Sequence, residues 1–482
     1  MKTIHHKGAL LILVIVFGAI FFTMVTGFLG YVITQYRSQE VRIQKELARE
    51  IAEAGLNYYK WFLAHYPGDV TNGTGLPGPY TMQFDDPELG RIGEFDIALQ
   101  STAYCGAVSA INITSTGRTD KMPNLERTVF GRYARPTVAE YSFIINADVW
   151  AGSNLSIIGP YHSNGGIRMD GTNNSTVSSQ QASWTCTSSF GCSPSGTRDG
   201  VFTTTANPNT ALFNFPSVPI NFTGLSVNLS DMRTRAINNG GLRFAASGAQ
   251  GYNIEFKSNG TIDVYRVNST IAHRGMITVG STNTWQNENN IINARSFVGN
   301  YTIPATCPLI FVEDKVWLEG VVNQKVTLAA ANPTIPGSTH SIILQDNISY
   351  TSTTTAGLLA IAEQDVLIGV DVPNAMSLSG IFIAQNGRFG RNFYCESTTY
   401  CATGDRLPTA YRPYAFRDSL TMTGTIVSNG RVGTKWMSGS TWSSGFDDRF
   451  NTYDRNLVDN PPPLTPNTSD DYKFVEWRDV YQ

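Results

Sequence analysis

The chain has 482 residues, a charged fraction of 15% and a formal net charge of −3. The length suffices for about three domains with sizeable cores. A near-neutral balance and a pI of about 6.1 give no basic surface, so we expect no nucleic-acid partner. The charged fraction is well below the ~25% of average domains. With abundant Gly, Ser, Thr and Asn, it indicates an exported, β-rich protein.

The first predicted element is an apolar helix at residues 9–36. No charged residue occurs between Lys7 and Arg37, and about 25 apolar residues suffice to cross a bilayer core of about 30 Å. Lys2 and Lys7 precede this segment, which places the N-terminus inside by the positive-inside rule. The rest of the chain is then expected outside the membrane.

Residues 37–66 are predicted to continue the same helix as an amphipathic segment, since no proline occurs before Pro67. Apolar side chains recur at steps of three and four residues and so share one face. We expect this face to pack against neighbouring helices. The residues predicted for that contact are Ile43, Leu47, Ile51 and Ala54.

The start of the chain resembles a class III (prepilin) leader. Residues 1–8 form a short basic segment that ends in Lys7-Gly8 and precedes the apolar helix. In that family a prepilin peptidase cuts after the glycine, here between Gly8 and Ala9, and the helix then packs inside a type IV filament. A cleaved secretory signal fits poorly, because its apolar core covers only about 7–15 residues. An ordinary single-pass anchor is the alternative.

One position departs from typical major pilins, which carry glutamate at the fifth mature residue. Counting from Ala9, this chain has Leu13 there. In this respect it resembles the PilX-like minor pilins and the GspK-like pseudopilins, which are placed at filament tips. The resemblance implies a minor subunit, although an anchor that is never assembled would also lack the carboxylate.

Residues 67–140 are predicted to form a small sheet. A loop rich in proline and glycine, at 67–79, precedes alternating runs at 93–99, 107–118 and 125–136. We expect antiparallel strands packed on the outer half of the long helix. This order of elements looks like the α/β core of pilins and pseudopilins.

An internal repeat predicts the fold of a head at 141–205 and 301–436. Segments 155–167, 376–390 and 420–433 each have alternating apolar residues, a glycine, a second short run and an Asn-Gly pair. The spacings from Gly320 of a shorter fragment to Gly380, and from Gly380 to Gly424, are near multiples of one β-solenoid coil of about 20–25 residues. We therefore predict a parallel β-helix that bends at the glycines and Asn-Gly pairs, where φ > 0 is tolerated. A β-sandwich with Asn-Gly hairpins is the alternative. The repeat positions are Gly159, Gly380 and Gly424, the pairs Asn164-Gly165, Asn386-Gly387 and Asn429-Gly430, and Gly320 of a shorter fragment.

The remaining segments are an insertion and a tail. Residues 206–300 are predicted as an inserted α+β subdomain. It contains a short helix within 228–241 that Ser230 can cap, and a hairpin within 251–267. The tail, 437–482, is expected to end in a docking strand or helix.

Six cysteines in an exported chain predict disulfides. Two local pairs enclose loops of identical size, and the two remaining cysteines form a third candidate pair. Zinc is the competing use, but no C-x-x-C occurs and no histidine lies near either loop. We therefore predict no metal site and no cofactor. The candidate pairs are Cys186–Cys192, Cys395–Cys401 and Cys105–Cys307.

No motif of a known catalytic class is present, so we predict that the chain is not an enzyme. His162, beside one Asn-Gly turn, is expected to be structural. Polysaccharide-active β-helices use acids within about 5–10 Å of each other, and three or more acids in one groove would favour an anchored enzyme of that kind. The acids considered are Glu313, Asp314, Glu319, Glu363, Asp365 and Asp371.

Together these features predict a minor pilin or pseudopilin-like subunit of a type IV pilus or a type II secretion-like filament. We expect it at or near the tip, with a β-rich head for adhesion or assembly. Expected partners are the inner membrane, prepilin peptidase, other pilins, and a surface or glycan ligand. Before assembly it would be single-pass in the cytoplasmic membrane, and afterwards at the cell surface. A membrane-anchored adhesin or envelope protein that is not polymerised is the main alternative.

Overall fold

The computed structural model describes residues 7–66, 69–88, 90–222, 228–279, 282–439, 441–469 and 471–480. The leader predicted at 1–8 lies outside these residues except for its last two positions. The chain divides into two compact units. The first comprises the described residues up to Ser101, Ile111–Tyr133 and the end of the chain from Glu476. The second comprises Thr102–Ala110 and Ala134–Val475.

The described helices are α1 (Lys7–His65), α2 (Leu229–Asn238) and α3 (Arg455–Asp459). Up to residue 215 the strands are β1 (Tyr80–Asp86), β2 (Gly90–Tyr104), β3 (Ala107–Thr119), β4 (Met122–Ala134), β5 (Phe143–Ile145), β6 (Val149–Ala151), β7 (Leu155–Ile158), β8 (Tyr161–Ser163), β9 (Ile167–Met169), β10 (Thr172–Asn173), β11 (Val177–Ser179), β12 (Ser183–Cys186), β13 (Gly196–Asp199), β14 (Val201–Phe202) and β15 (Phe213–Asn214).

The later strands are β16 (Leu242–Phe244), β17 (Gly251–Phe256), β18 (Thr261–Val279), β19 (Thr282–Thr302), β20 (Leu309–Val312), β21 (Val316–Val322), β22 (Lys325–Ala330), β23 (Ile342–Tyr350), β24 (Gly357–Ala362), β25 (Val366–Ile368), β26 (Ala375–Ala384), β27 (Phe389–Gly390), β28 (Phe416–Ser428), β29 (Lys435–Ser438), β30 (Thr441–Thr452) and β31 (Lys473–Val480).

α1 is one continuous helix that joins the two segments predicted separately at 9–36 and 37–66. At 1.5 Å per residue it is a rod of about 90 Å. Gly27 and Gly30 each cost about 1 kcal/mol in a helix, yet both lie in regular helix. Leu, Glu, Lys and Arg, which are strong helix formers, sustain its second half.

The sheet of the first unit has the strand order β1-β2-β3-β4-β31. β1 pairs antiparallel with β2, with Tyr80 opposite Ile97. The strands therefore lie within the range predicted for the sheet, 67–140, and the tail adds one more beside β4. The docking element expected at the end of the chain is a strand.

Small residues allow α1 to approach this sheet closely. A Cβ on Gly93 would lie 2.7 Å from Cδ1 of Ile51, and one on Gly55 would lie 2.9 Å from Cδ2 of Phe95. Full burial of a large apolar side chain contributes about 1.5–3 kcal/mol, so the buried face holds the second half of α1 on the sheet. The buried residues of this face are Gln44, Ala48, Ile51, Ala52, Leu56, Tyr59, Phe62 and Leu63.

The second unit, which we call the head, is dominated by parallel strands stacked as successive coils. β26 pairs in parallel with β28 along its whole length, and the same pairing links β20, β22, β24 and β26 in order. A second ladder joins β21, β23, β25 and β27. This is the strand arrangement of a β-solenoid. It confirms the parallel pairing predicted from the repeat, with Gly380 opposite Gly424.

The N-terminal part of the head stacks on the end of its later part. β28 pairs in parallel with β5, where Ile426 lies opposite Phe143. The ladder continues from β5 to β8, β11 and β15. On another side of the coil, β28 pairs with β30 and β30 with β7. Segments 141–205 and 301–436 therefore belong to one stack.

Glycine is required at the repeat positions for two different structural reasons. Those after the first apolar run have φ values of 111° at Gly159, 113° at Gly320, 155° at Gly380 and 133° at Gly424. Side chains are strained there, so the backbone itself requires glycine. The glycines of the Asn-Gly pairs do not have positive φ, and that part of the prediction was wrong. They permit close stacking instead, since a Cβ on Gly165 would lie 2.4 Å from the carbonyl carbon of Ala147.

Residues 206–300 are not a separate insertion, contrary to the prediction. β15, β16 and β17 pair in parallel with β11, β20 and β21 of the head. α2 and the β17–β18 hairpin are present as expected. The side chain that caps α2, however, is that of Asn228 rather than Ser230, because it accepts the amide hydrogen of Asp231 at 2.9 Å. The rest of the range is the long antiparallel β18–β19 hairpin.

The tail predicted at 437–482 is also divided. β30 continues the coils of the head through β28 and β7, whereas β31 joins the sheet of the first unit. The apolar core of the head is filled from the inward positions of each coil. Its largest fully buried aromatic residues are Phe256, Phe382, Phe389 and Phe446. Phe311, Trp317 and Tyr394 are also fully buried but belong to separate apolar clusters.

Candidate assembly helix and candidate binding groove

The first half of α1 is an apolar surface that the described chain does not cover. Large apolar side chains are exposed from Leu10 to Tyr36, both about 70% accessible. The hydroxyls of Thr23, Thr26 and Thr34 donate to carbonyl oxygens of their own helix. The polar groups of these three threonines are therefore bonded within the helix, as a lipid environment favours. The segment is long and apolar enough to cross a membrane.

The residues assigned to leader processing lie at the start of this helix. Gly8 and Ala9 are helical. Leu13, the predicted fifth mature residue, is 57% exposed and extends the apolar surface without supplying a carboxylate. Cleavage between Gly8 and Ala9 stays a prediction.

The four residues predicted to contact neighbouring helices do not share one environment. Ile51 is fully buried and lies against Gly93 of the sheet, which removes it from the packing surface. Leu47 and Ala54 are half-buried, and Ile43 is 54% exposed. The buried face is rotated relative to the predicted stripe, because the sheet covers residues at 44, 48, 52 and 56. Of the four predicted contact residues, Ile43 is therefore the most exposed.

All three predicted disulfides are present. Cys186–Cys192 lies in a small buried cluster with Trp184 and Phe190. Cys105–Cys307, the third candidate, joins residues 202 positions apart within the second unit. The other local pair is Cys395–Cys401.

His162 has the structural role expected for it. It is buried, with Nδ1 at 3.0 Å from Oγ of Ser178 and Nε2 at 3.0 Å from Oδ1 of Asn164. Burial lowers the pKa of this imidazole. Asn164 donates to Oδ1 of Asn146, which donates to Oδ1 of Asn429, both at 2.9 Å. Asparagines at successive turns thus connect the coils.

A groove of about 1050 Å³ lies along one side of the head. The turns of successive coils that line it are held together by backbone hydrogen bonds. The amide of Gly430 donates to the carbonyl of Gly387 at 2.8 Å, and that of Gly387 to the carbonyl of Gln364 at 3.0 Å. The lining segments are 147–148, 364–365, 386–388 and 429–431 from the turns, and 277–278 and 286–290 from the β18–β19 hairpin.

Half of the residues that line the groove are uncharged and have side chains able to form hydrogen bonds. Apolar contacts come from Phe190, Ile277, Ile343 and Leu367. A lining that mixes hydrogen-bonding side chains with apolar surface suits a ligand that carries both hydroxyl groups and C–H faces. The uncharged polar residues are Thr185, Thr187, Thr278, Gln286, Asn287, Asn289, Asn290, Thr339, Ser341, Gln364, Asn386, Asn392 and Asn429.

Three cations and three acids line the groove, so their formal charges cancel. Burial lowers the pKa of each cation, and the paired acid opposes that shift. For Arg431 burial lowers the pKa to about 10. The acid whose charge opposes the shift is Asp365 for Arg388, Asp148 for Arg431 and Glu288 for Lys315.

Glu288 is the buried acid of the hairpin wall. Its carboxylate accepts hydrogen bonds from Nδ2 of Asn290 and from the hydroxyl of Tyr394, both at 2.9 Å, and from Nδ2 of Asn392. Nε2 of His273 lies 3.3 Å away. Burial would raise the pKa of this carboxyl, but these donors hold it below its ordinary value. A carboxylate bonded in this way anchors the hairpin to the coils.

The acids selected from the sequence do not converge, since only Asp365 lines the groove. Asp148 and Glu288 also line the groove, which therefore contains three acids. Three acids in one groove would favour an anchored polysaccharide-active enzyme. Each is already engaged, because Asp148 accepts the amide of Gly166 at 2.7 Å and Asp365 that of Arg388 at 2.8 Å. The other acids bind elsewhere: Glu313 to Arg233 and Arg243, Asp314 to Ser247, Glu319 to Asn253, Glu363 to Ser338, and Asp371 to Gln345.

Sequence reasoning did not select Arg388 and Arg431, although both directly follow a repeat Asn-Gly pair. The triplet Asn-Gly-Arg at equivalent places in two coils was the available signal. Glu288 lies outside the repeat, and no sequence pattern marked it. Among the described residues, no three His, Cys, Asp or Glu side chains form a group that could hold a metal ion.

No protein-family model and no curated protein matches the chain. Among solved structures, the chain is similar to the competence-associated pilin ComZ from Thermus thermophilus. The TM-score is 0.26 and the identity is 14%, over 91% of this chain and 97% of that chain. A likeness at this level does not assign the chain to a family.

Proposed function

We propose that the chain is a structural subunit of a type IV pilus-like or type II secretion-like filament. The observation that carries this proposal is the structure of α1, which is a single helix. The apolar side chains of its first half are exposed, whereas its second half packs against a sheet. Bare apolar side chains need a nonaqueous partner. A bilayer supplies it before assembly, and the apolar helices of other subunits supply it in a filament core.

The finer assignment is a minor subunit near the filament tip. Leu13 supports it, because the predicted fifth mature position has no carboxylate for the amine of a neighbouring subunit. Prepilin peptidase would remove residues 1–8, and the β-solenoid head would be displayed outside the membrane for adhesion or assembly. The role is structural and needs neither catalysis nor a cofactor.

Processing is tested by determining the N-terminus of the native protein. We expect Ala9 as its first residue. Gly8→Val should yield a chain eight residues longer, whereas Gly18→Val, in a helix position with open space around it, should be processed normally. A native chain that begins at Met1 and occurs only as single copies in the membrane would support the unpolymerised adhesin or envelope protein instead.

Assembly is tested by cysteine cross-linking in sheared surface filaments. Ile43→Cys places a thiol at a position that is 54% exposed, and the matched Ile51→Cys places one at a fully buried position. We expect Ile43→Cys to cross-link to neighbouring subunits and Ile51→Cys to form no cross-link. Absence of the chain from purified filaments, with no cross-link from position 43, would contradict the proposal.

A further inference from the structure

We propose that the groove of the head binds a neutral oligosaccharide or a neutral segment of a polysaccharide. The inference is independent of polymerisation, since every lining residue belongs to the second unit. It would give the head a ligand of its own.

The size and construction of the groove fit a chain of several sugar rings. Its volume of about 1050 Å³ is at the upper end of the range for small-ligand sites, about 300–1,000 Å³. The turns of the coils form a regular wall, because Gly387 and Gly430 hydrogen-bond from coil to coil. Glu288 fixes the hairpin wall through Asn392 and Tyr394. Both walls are therefore preorganised.

The polar groups of the lining have unused hydrogen-bonding capacity. Among the described residues, the side chains of Thr185, Gln286, Thr339 and Gln364 make no hydrogen bond within the chain. They come from four separate segments and converge on the same groove. An amide offers both donors and an acceptor, and a hydroxyl offers both as well, which complements the hydroxyl groups of a sugar.

The charges of the groove favour a neutral ligand. The lining contains three cations and three acids, so no surplus of cations faces the cavity. A polyanion such as DNA gains its affinity from phosphate neutralisation by unpaired Lys and Arg, and the groove does not supply it. Phe190, Ile277 and Leu367 in the lining, each 7–9% exposed, offer small apolar contacts to the C–H faces of sugar rings.

The test is a binding measurement on the full chain in detergent micelles. The probes are a panel of neutral oligosaccharides, a matched panel of uronic-acid oligosaccharides, and single- and double-stranded DNA. We expect saturable binding to at least one neutral member and none to DNA. Binding only to the acidic panel or to DNA, or no binding to any neutral member, would overturn the proposal.

Variants locate the binding site. Gln286→Ala combined with Gln364→Ala should weaken neutral-sugar binding at least tenfold, because each removes a donor and an acceptor from one wall. Asn293→Ala, an exposed position on the same β19 strand but outside the groove, should change it less than twofold. Circular dichroism melts that match the parent chain would show that both variants fold. Unchanged affinity in the double variant would place the ligand elsewhere and contradict the inference.

Discussion

Gly117 of β3 lies directly against Ala48 of α1. A Cβ on Gly117 would be 2.3 Å from the carbonyl oxygen of Ala48 and 2.5 Å from the amide nitrogen of Ala52. Helix backbone and strand backbone therefore meet without a side chain between them. This contact fixes which side of α1 faces the sheet and, as a consequence, which side stays open.

Gly117→Val should weaken the packing of α1 against the sheet. The new side chain would meet backbone atoms that cannot rotate away, and overpacking of this kind costs about 1–3 kcal/mol. Hydrogen exchange of the β3 amides in the full chain should be faster than in the parent. Gly196→Val, at a site with open space around it, should leave that exchange unchanged, and equal rates in the two variants would contradict the prediction.

Gly424→Ala should destabilise the coil stack. The residue has a φ of 133°, and a Cβ there would lie 2.0 Å from the carbonyl oxygen of Gly380. Backbone strain and overpacking each cost about 1–3 kcal/mol, so we expect a loss of about 2–6 kcal/mol in urea unfolding. Gly433→Ala, which has open space and no positive φ, is the matched control. Identical unfolding midpoints would rule out a structural need for glycine at 424.

The sequence allowed prediction of the features that depend on local pattern. The helix α1 and the β17–β18 hairpin follow from periodicity. The repeat glycines with positive φ, including Gly320, follow from the backbone freedom of glycine. The contact of β28 with β5 could not be predicted, because nothing in the sequence states which end of the stack receives residues 141–205. Ile51 was assigned to the outer face because an amphipathic stripe does not reveal what covers it.

The groove was the least predictable part, because it depends on which distant segments the fold brings together. Its lining comes from coil turns and from the β18–β19 hairpin, which are distant in sequence and have no common periodicity. Arg388 and Arg431 had a repeat signal, whereas Gln286 and Glu288 became visible only through the fold.

Removal of the Cys105–Cys307 disulfide should be the most destabilising of the three losses. The pair is separated by 202 residues, compared with 6 for Cys186–Cys192. In the chain-entropy model the long loop contributes about 5 kcal/mol and the short one about 2 kcal/mol. Replacing each pair by serines in turn and measuring thermal unfolding of the full chain tests this order. A larger loss from the Cys186/Cys192 variant would show that native-state packing outweighs loop entropy.

Glu288→Gln should reduce the acid sensitivity of the head. The donors around Glu288 hold the pKa of its carboxyl below the ordinary value of 4.5. An acid with a lowered folded pKa stabilises the fold above its ordinary value, and the contribution is lost as the pH falls through the folded pKa. The parent should therefore lose stability as the pH falls below about 4.5. The variant should start lower at pH 7, by about 1–3 kcal/mol for the altered hydrogen bonds, and decline less steeply. Glu396→Gln, at an exposed position, should retain the parent's slope in denaturant unfolding measured across this pH range. Equal slopes for the parent and Glu288→Gln would contradict the prediction.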